Sequence, residues 1–166
     1  MDRLNPERRS HLMSRIKSKD TRPEMAVRSY LHARGLRYRL HDKSLPGRPD
    51  LVFKSRKVAV FVHGCFWHGH PGCTKARIPE TRQNFWRTKI ENKALRDRRS
   101  TRRLRAMGWR VLVVWQCRIG ERRLSQLYET IAGSTPPEVH ATHAARSPAA
   151  RASKRQRQRR SIGSLL

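Results

Sequence analysis

Acidic residues are scarce: the chain of 166 residues holds 12 Asp and Glu against 39 Lys and Arg, a formal net charge of +27. That imbalance exceeds what solubility requires and implies a polyanionic partner, nucleic acid first. Long apolar runs are missing too. None approaches the roughly 20 residues of a membrane span, and MDRLNPERRS lacks the apolar stretch of a secretory signal, so a cytoplasmic protein is expected. Cysteine is sparse. Cys65, Cys73 and Cys117 are odd in number and, in a reducing compartment, argue against a disulfide framework; metal ligation or burial remains. There are no internal repeats, and the length suits one domain with a real core plus a tail.

What is present is unevenly placed. From Val139 onward there are seven basic residues and no acidic ones, which leaves +20 of the charge on residues 1–138. The folded part is therefore basic in its own right. Residues 1–20 are expected to be a basic DNA-contacting segment, 21–133 the domain, and 134–166 a disordered basic tail.

Within the domain, Thr21, Pro23 and Glu24 form a capping box that predicts a helix over 21–34, with Val27, Tyr30 and Leu31 on its apolar face and Gly35 as its stop. Leu36, Tyr38 and Leu40 alternate with arginines and predict a half-exposed strand. SLPGRPD is a loop, and DLVF with VAVFV predicts an antiparallel hairpin. If Phe53 lies opposite Val58, Asp50 falls near Phe61 and His63. A helix is expected over 81–107, with Ile90, Ala94, Thr101 and Leu104 inward. WRVLVVWQC reads as a central strand buried on both faces, followed by a helix over 121–132 that presents Leu124, Leu127, Tyr128 and Ile131. The order is α-β-β-β-α-β-α.

The stretch FVHGCFWHGHPGC, residues 61–73, concentrates the chemistry. Cys65, His70 and Cys73 give C-x4-H-x2-C, and Cys117 at the end of the apolar run closes a four-ligand set suited to Zn²⁺; His68 is an alternative to His70. Asp50 follows a proline, where turn residues are common, but its proximity to His63 and His68 suits a Mg²⁺ carboxylate beside imidazoles that move protons. Phe66, Trp67 and Trp86 are either core residues or wedges between base pairs. Trp109 and Trp115 read as core. Taken alone, Glu24 reads as part of the capping box and Asp97 in RDRR as one half of a surface ion pair with Arg98 or an arginine one turn away, so neither is diagnostic by itself.

Together MSRIKSKDTRPE, LPGRPD, FVHGCFWHGHPGC, FW at 85–86, RDRR and GWRVLVVWQC resemble the very short patch repair endonucleases, in order from Arg9 to Ala132. The resemblance implies a restriction-endonuclease-like α/β fold, a mixed β-sheet flanked by helices, with a structural zinc site. It implies Asp50 as the principal Mg²⁺ ligand with the main-chain carbonyl of Val62. His63 and His68 match the catalytic histidines, His68 the better candidate for deprotonating the attacking water, and Asp97 and Glu24 match supporting acids. Cys65, His70, Cys73 and Cys117 match the zinc ligands, and Phe66, Trp67 and Trp86 the rings inserted beside the mismatch.

Three positions depart from the pattern. Val62 stands where threonine occurs, HGHPGC is one residue longer than the tighter form of the loop, and the second acid and lysine of restriction enzymes are missing from AVFVHG.

The implied activity is Mg²⁺-dependent nicking 5′ to the mismatched thymine of T:G pairs in double-stranded DNA. A monomer associated with the nucleoid is expected, and the resemblance further implies cooperation with MutL and a cytosine methyltransferase. The alternative is a zinc-stabilised DNA-binding module without catalysis. A zinc deaminase is disfavoured, since H-x-E with P-C-x-x-C is absent.

Overall fold

In the computed structural model, residues 19–134 are described, together with Asn5, Glu7, Arg8, His11 and Ser14. The rest of the expected DNA-contacting segment and all of the tail past Ser134 lie outside the described residues. The capping box is formed as expected. Thr21 is extended and its hydroxyl accepts from the Glu24 amide, while Glu24 accepts from the Asp20 amide at 3.1 Å. Helix α1 then spans Arg22–Ala33 and buries Val27 and Leu31.

Strands β1 (Arg39–Leu40), β2 (Leu51–Phe53), β3 (Val58–His63) and β4 (Arg110–Trp115) form one mixed sheet in that order. β1, β2 and β3 run antiparallel in turn, with Phe53 opposite Val58 as predicted, and β4 joins β3 in parallel. Helix α2 (Gln83–Ala106) lies between β3 and β4 in sequence, and α3 (Glu121–Ala132) follows β4. The element order is the expected one.

Alternation along β3 decides which helix covers which face. Val58, Val60 and Val62 pack with Val27 and Leu31 of α1 and with Leu124, Leu127 and Ile131 of α3. Ala59 joins Val52, Leu45, Trp109 and Leu104 of α2 on the other face, with Phe61 and Val111 against them. His63 follows Phe61 by two and so faces α2.

Several expectations are corrected. Among the described residues β4 is an edge strand whose Val114 alone is buried, because none of them forms a strand on its outer side; its apolar run reflects helices on both faces. The strand expected over Leu36–Leu40 is only two residues long, and Leu40 is 45% exposed although Leu36 is buried. Of the expected inward stripe on α2 only Leu104 is buried, because this Arg- and Lys-rich helix carries few apolar side chains to pack on the sheet; Ile90, Ala94 and Thr101 are half-buried. Trp109 is in the core, whereas Trp115 is half-buried.

Two glycines bring loops onto α2. At Gly47 (φ +77°) a Cβ would stand 2.7 Å from Cβ of Ser100, and at Gly69 (φ +59°) 2.7 Å from Cγ2 of Ile90. The SLPGRPD and HGCFWHGH loops are thereby held against the same helix.

Candidate active site and metal centre

The β2–β3 ladder ends at Leu51 and Val60, and just beyond it the Asp50 side chain takes over as acceptor: Oδ2 receives the Val62 amide at 2.7 Å. Burial pushes the Asp50 carboxyl up, the Val62 amide opposes this, and the charge of Glu24 adds to the rise. A buried carboxylate in that state is stabilised by a cation. A strand residue aims its N–H and C=O toward the same edge, so the Val62 carbonyl faces the Asp50 side as well.

His63 ends β3 opposite Trp115, the last residue of β4, at the carboxyl ends of the parallel pair. Its ring stacks on His68 with centroids 3.7 Å apart and planes 14° from parallel. Burial, and next the neighbouring His68, push His63 down to about 3, so it is neutral at ordinary pH. His68 Nδ1 lies 2.6 Å from Asp97 Oδ2, and Lys93 Nζ donates to Asp97 Oδ1 at 2.8 Å. The expectation that Asp97 pairs with Arg98 or another arginine is thus corrected: α2 turns Asp97 toward the sheet, where His68 and Lys93 meet it. Burial raises the Asp97 carboxyl, but hydrogen bonds from His68 and Lys93 outweigh it and hold it at about 2. The ionised acceptor calls for a proton on His68 Nδ1, so in the neutral ring the lone pair is on Nε2.

A second constellation lies beyond Trp115. Cys65, His70, Cys73 and Cys117 bring their ligand atoms within 4.8 Å of one another. His70 Nδ1 is 3.6 Å from Sγ of Cys65 and 3.2 Å from Sγ of Cys117, and all three thiols are free. Zn–S bonds of about 2.3 Å and Zn–N bonds of about 2.0 Å in a tetrahedron require ligand separations near these values. The donor set fits zinc. Between the alternatives His68 and His70, it is His70 that lies with the cysteines, while His68 sits on Asp97. Trp115 separates the two constellations: His70 stacks on its ring at 4.1 Å and His63 meets it edge-on at 5.2 Å.

Phe66, Trp67 and Trp86 form a half-buried triangle with centroid separations of 5.0, 5.2 and 6.2 Å. Lys89 Nζ stands 5.3 Å from the Trp86 ring, and the neighbouring Phe85 is 45% exposed. These rings are outside both core clusters.

Glu24 does more than cap its helix. It is buried and pairs with Arg28 at 3.0 Å; Arg28 also bonds Asp20 and reaches His41 Nε2 at 2.9 Å, and His41 Nδ1 lies 3.7 Å from Asp50 Oδ1. Arg28, His41 and Lys93 were not predicted from the sequence. Two had a signal: Arg28 follows Glu24 by four and Lys93 precedes Asp97 by four, each one helical turn away. Extending the hairpin to β1, where Leu40 pairs with Leu51, would have set His41 opposite Asp50.

Residues 1–75 match the family model described as DNA mismatch endonuclease Vsr. The chain is 57% identical over 120 residues to the type II nicking enzyme V.XorIIP of Xanthomonas oryzae pv. oryzae, covering 72% of this chain and 88% of that one. It is 41% identical over 123 residues to the type II nicking enzyme V.NmeAIP of Neisseria meningitidis serogroup A, 74% of this chain and 87% of the relative. It is also similar to the DNA mismatch endonuclease Vsr of Escherichia coli strain K12, 46% identical over 114 residues, 69% of this chain and 72% of the relative.

Proposed function

This chain belongs to the Vsr family of DNA mismatch endonucleases, and from that premise we propose that it nicks DNA beside the mismatched thymine of T:G pairs, on its 5′ side, with Mg²⁺. That it is a DNA endonuclease follows from the family, and a purely DNA-binding module is left without support. The observation that carries the finer reading is that the Asp50 carboxylate receives the amide of Val62, next to His63, whose ring stacks on the Asp97-paired His68 at the carboxyl end of β3.

Asp50 and the Val62 carbonyl would hold Mg²⁺, a hard ion that keeps most of its waters. When bound it polarises a phosphate oxygen and makes water a better nucleophile. His68, its Nδ1–H fixed by Asp97, offers Nε2 to take the proton from the attacking water. His63, kept neutral by burial, lies flat on His68 and limits the ways that ring can turn. Lys93 holds the Asp97 carboxylate from its other oxygen. Cys65, His70, Cys73 and Cys117 would hold Zn²⁺ and fix the loop that carries His68. Phe66, Trp67 and Trp86 would enter the duplex where a mismatch has weakened stacking. The helices on both faces of the mixed sheet support assignment to the restriction-endonuclease-like fold.

The test uses end-labelled duplexes, one with a T:G mismatch and one fully paired, in Mg²⁺ or EDTA. A Mg²⁺-dependent nick 5′ to the mismatched thymine alone is expected. Equal cutting of the paired duplex would overturn the mismatch specificity, and cutting in EDTA the metal dependence. Asp50→Ala should lower nicking by about a thousandfold, the several kcal/mol that such a metal supplies, while DNA binding stays near its original strength. Nicking retained in that variant would remove Asp50 from the reaction.

A further inference from the structure

The geometry points to His41 as a positioning residue: held on Arg28 through Nε2, it sets its Nδ1 beside the Asp50 carboxylate and orients that group toward the metal. The inference rests on the metal role proposed above for Asp50.

Donor counting fixes the tautomer. A guanidinium has only donors, so the 2.9 Å approach of Arg28 Nη2 to His41 Nε2 requires an acceptor lone pair on that nitrogen. The proton of a neutral ring then sits on Nδ1, the nitrogen that lies 3.7 Å from Asp50 Oδ1. At that separation the ring and the carboxylate are in electrostatic contact rather than hydrogen-bonded.

Arg28 is itself immobilised. It is 6% exposed and bonded to Glu24 and Asp20, so the lone pair of His41 is read by a fixed partner. Asp20, Glu24 and His41 converge as a cation site would, but the Arg28 guanidinium already fills their centre. The cluster is thus better built to hold a ring than an ion.

The backbone contributes a second, independent sign. His41 has φ +48°, a left-handed conformation uncommon outside glycine, at the point where β1 ends. Its amide donates to the Asp50 carbonyl at 3.4 Å. The strained turn therefore brings main chain and ring of one residue against Asp50. With the Val62 amide on Oδ2 and His41 beside Oδ1, each carboxylate oxygen has its own orienting group. Such outer partners of a metal carboxylate are worth about 10- to 100-fold in metal affinity or activity.

The experiment combines three measurements on the full chain. Long-range ¹H–¹⁵N spectra at neutral pH read the ring protons of His41; Mg²⁺ alone is titrated by calorimetry without DNA; nicking is followed against Mg²⁺ and against duplex concentration. The expected spectrum is that of the Nδ1–H tautomer. His41→Ala should weaken Mg²⁺ binding and raise the Mg²⁺ needed for half-maximal nicking by about 10-fold or more, with the KM for duplex unchanged. His41→Gln, whose amide can accept from Arg28 and donate to Asp50 together, should restore most of the loss.

An Nε2–H tautomer or an imidazolium would overturn the inference, as would unaltered Mg²⁺ affinity in His41→Ala alongside lost affinity in Asp50→Ala. Unaltered affinity in Asp50→Ala would instead sink the metal role of Asp50 itself. Should His41→Ala not fold, the spectrum of the unmutated chain and the titration of His41→Gln decide the matter.

Discussion

Asp97 shows how one residue links stability to the site. Its carboxyl is held at about 2 in the folded chain, below its ordinary value, so folding favours the ionised form. That contribution is present above the ordinary carboxylate range and is lost as pH falls through about 2. Asp97 is partly solvated, so screening reduces its worth to about 1 kcal/mol. Urea midpoints at pH 4.5 and 2.5 should therefore fall less in Asp97→Asn than in the unmutated chain. An identical fall would show that His68 and Lys93 do not hold the carboxylate. Trp67 carries a different load. Removing its ring should cost about 1–3 kcal/mol of stacking with a base and reduce the preference for T:G over paired duplex about tenfold. Unchanged preference in competition assays with Trp67→Ala would take the ring out of recognition.

Among the elements, those with strong local signals were legible in advance. Thr21 and Glu24 specify the start of α1, and Leu124, Leu127 and Ile131 specify the buried stripe of α3. The register of β2 with β3 followed from the short KSRK connection. β4 was legible as a strand but not in its place: Val111–Val114 are apolar because α2 and α3 cover the sheet, and periodicity does not report whether a further strand lies beside them. At the site, the cysteines and histidines of residues 63–73 announced themselves by composition. His41 and Arg28 were less plain: Arg28 offers only its four-residue spacing from Glu24, and His41 follows from extending the hairpin to β1 rather than from any motif. The HGCFWHGH loop has little regular structure of its own, and the thiol and imidazole set ties it to Cys117, just past the end of β4. One Zn²⁺ per chain is expected by elemental analysis. Chelation or Cys117→Ser should lower the melting temperature by several degrees and reduce nicking, because His68 rides on that loop. A metal-free chain of equal stability would refute the structural role.

For the molecule as a whole, the net charge of +27 sets the terms of association. Most exposed arginines of α2 stand without acidic partners of their own helix, so phosphate contacts should dominate binding. Affinity for duplex, mismatched or not, is expected to drop about 1,000-fold between 50 and 200 mM salt, while the ratio between T:G and paired duplex changes little. Fluorescence anisotropy over a salt series measures both. A shallow dependence would mean that the basic surface is not the contact surface.

The parallel pairing of β3 with β4 also has a consequence in time. His63 leaves the growing chain well before its cross-strand neighbour Trp115, and α2, which supplies Asp97, must be made and folded back in between. Pairing across so long a connection comes late, after its closure entropy has been met. A chain still being synthesised therefore holds Asp50 and both histidines before Asp97 and Trp115 are in place, and the end of the sheet that carries His63 is completed only when β4 pairs with β3.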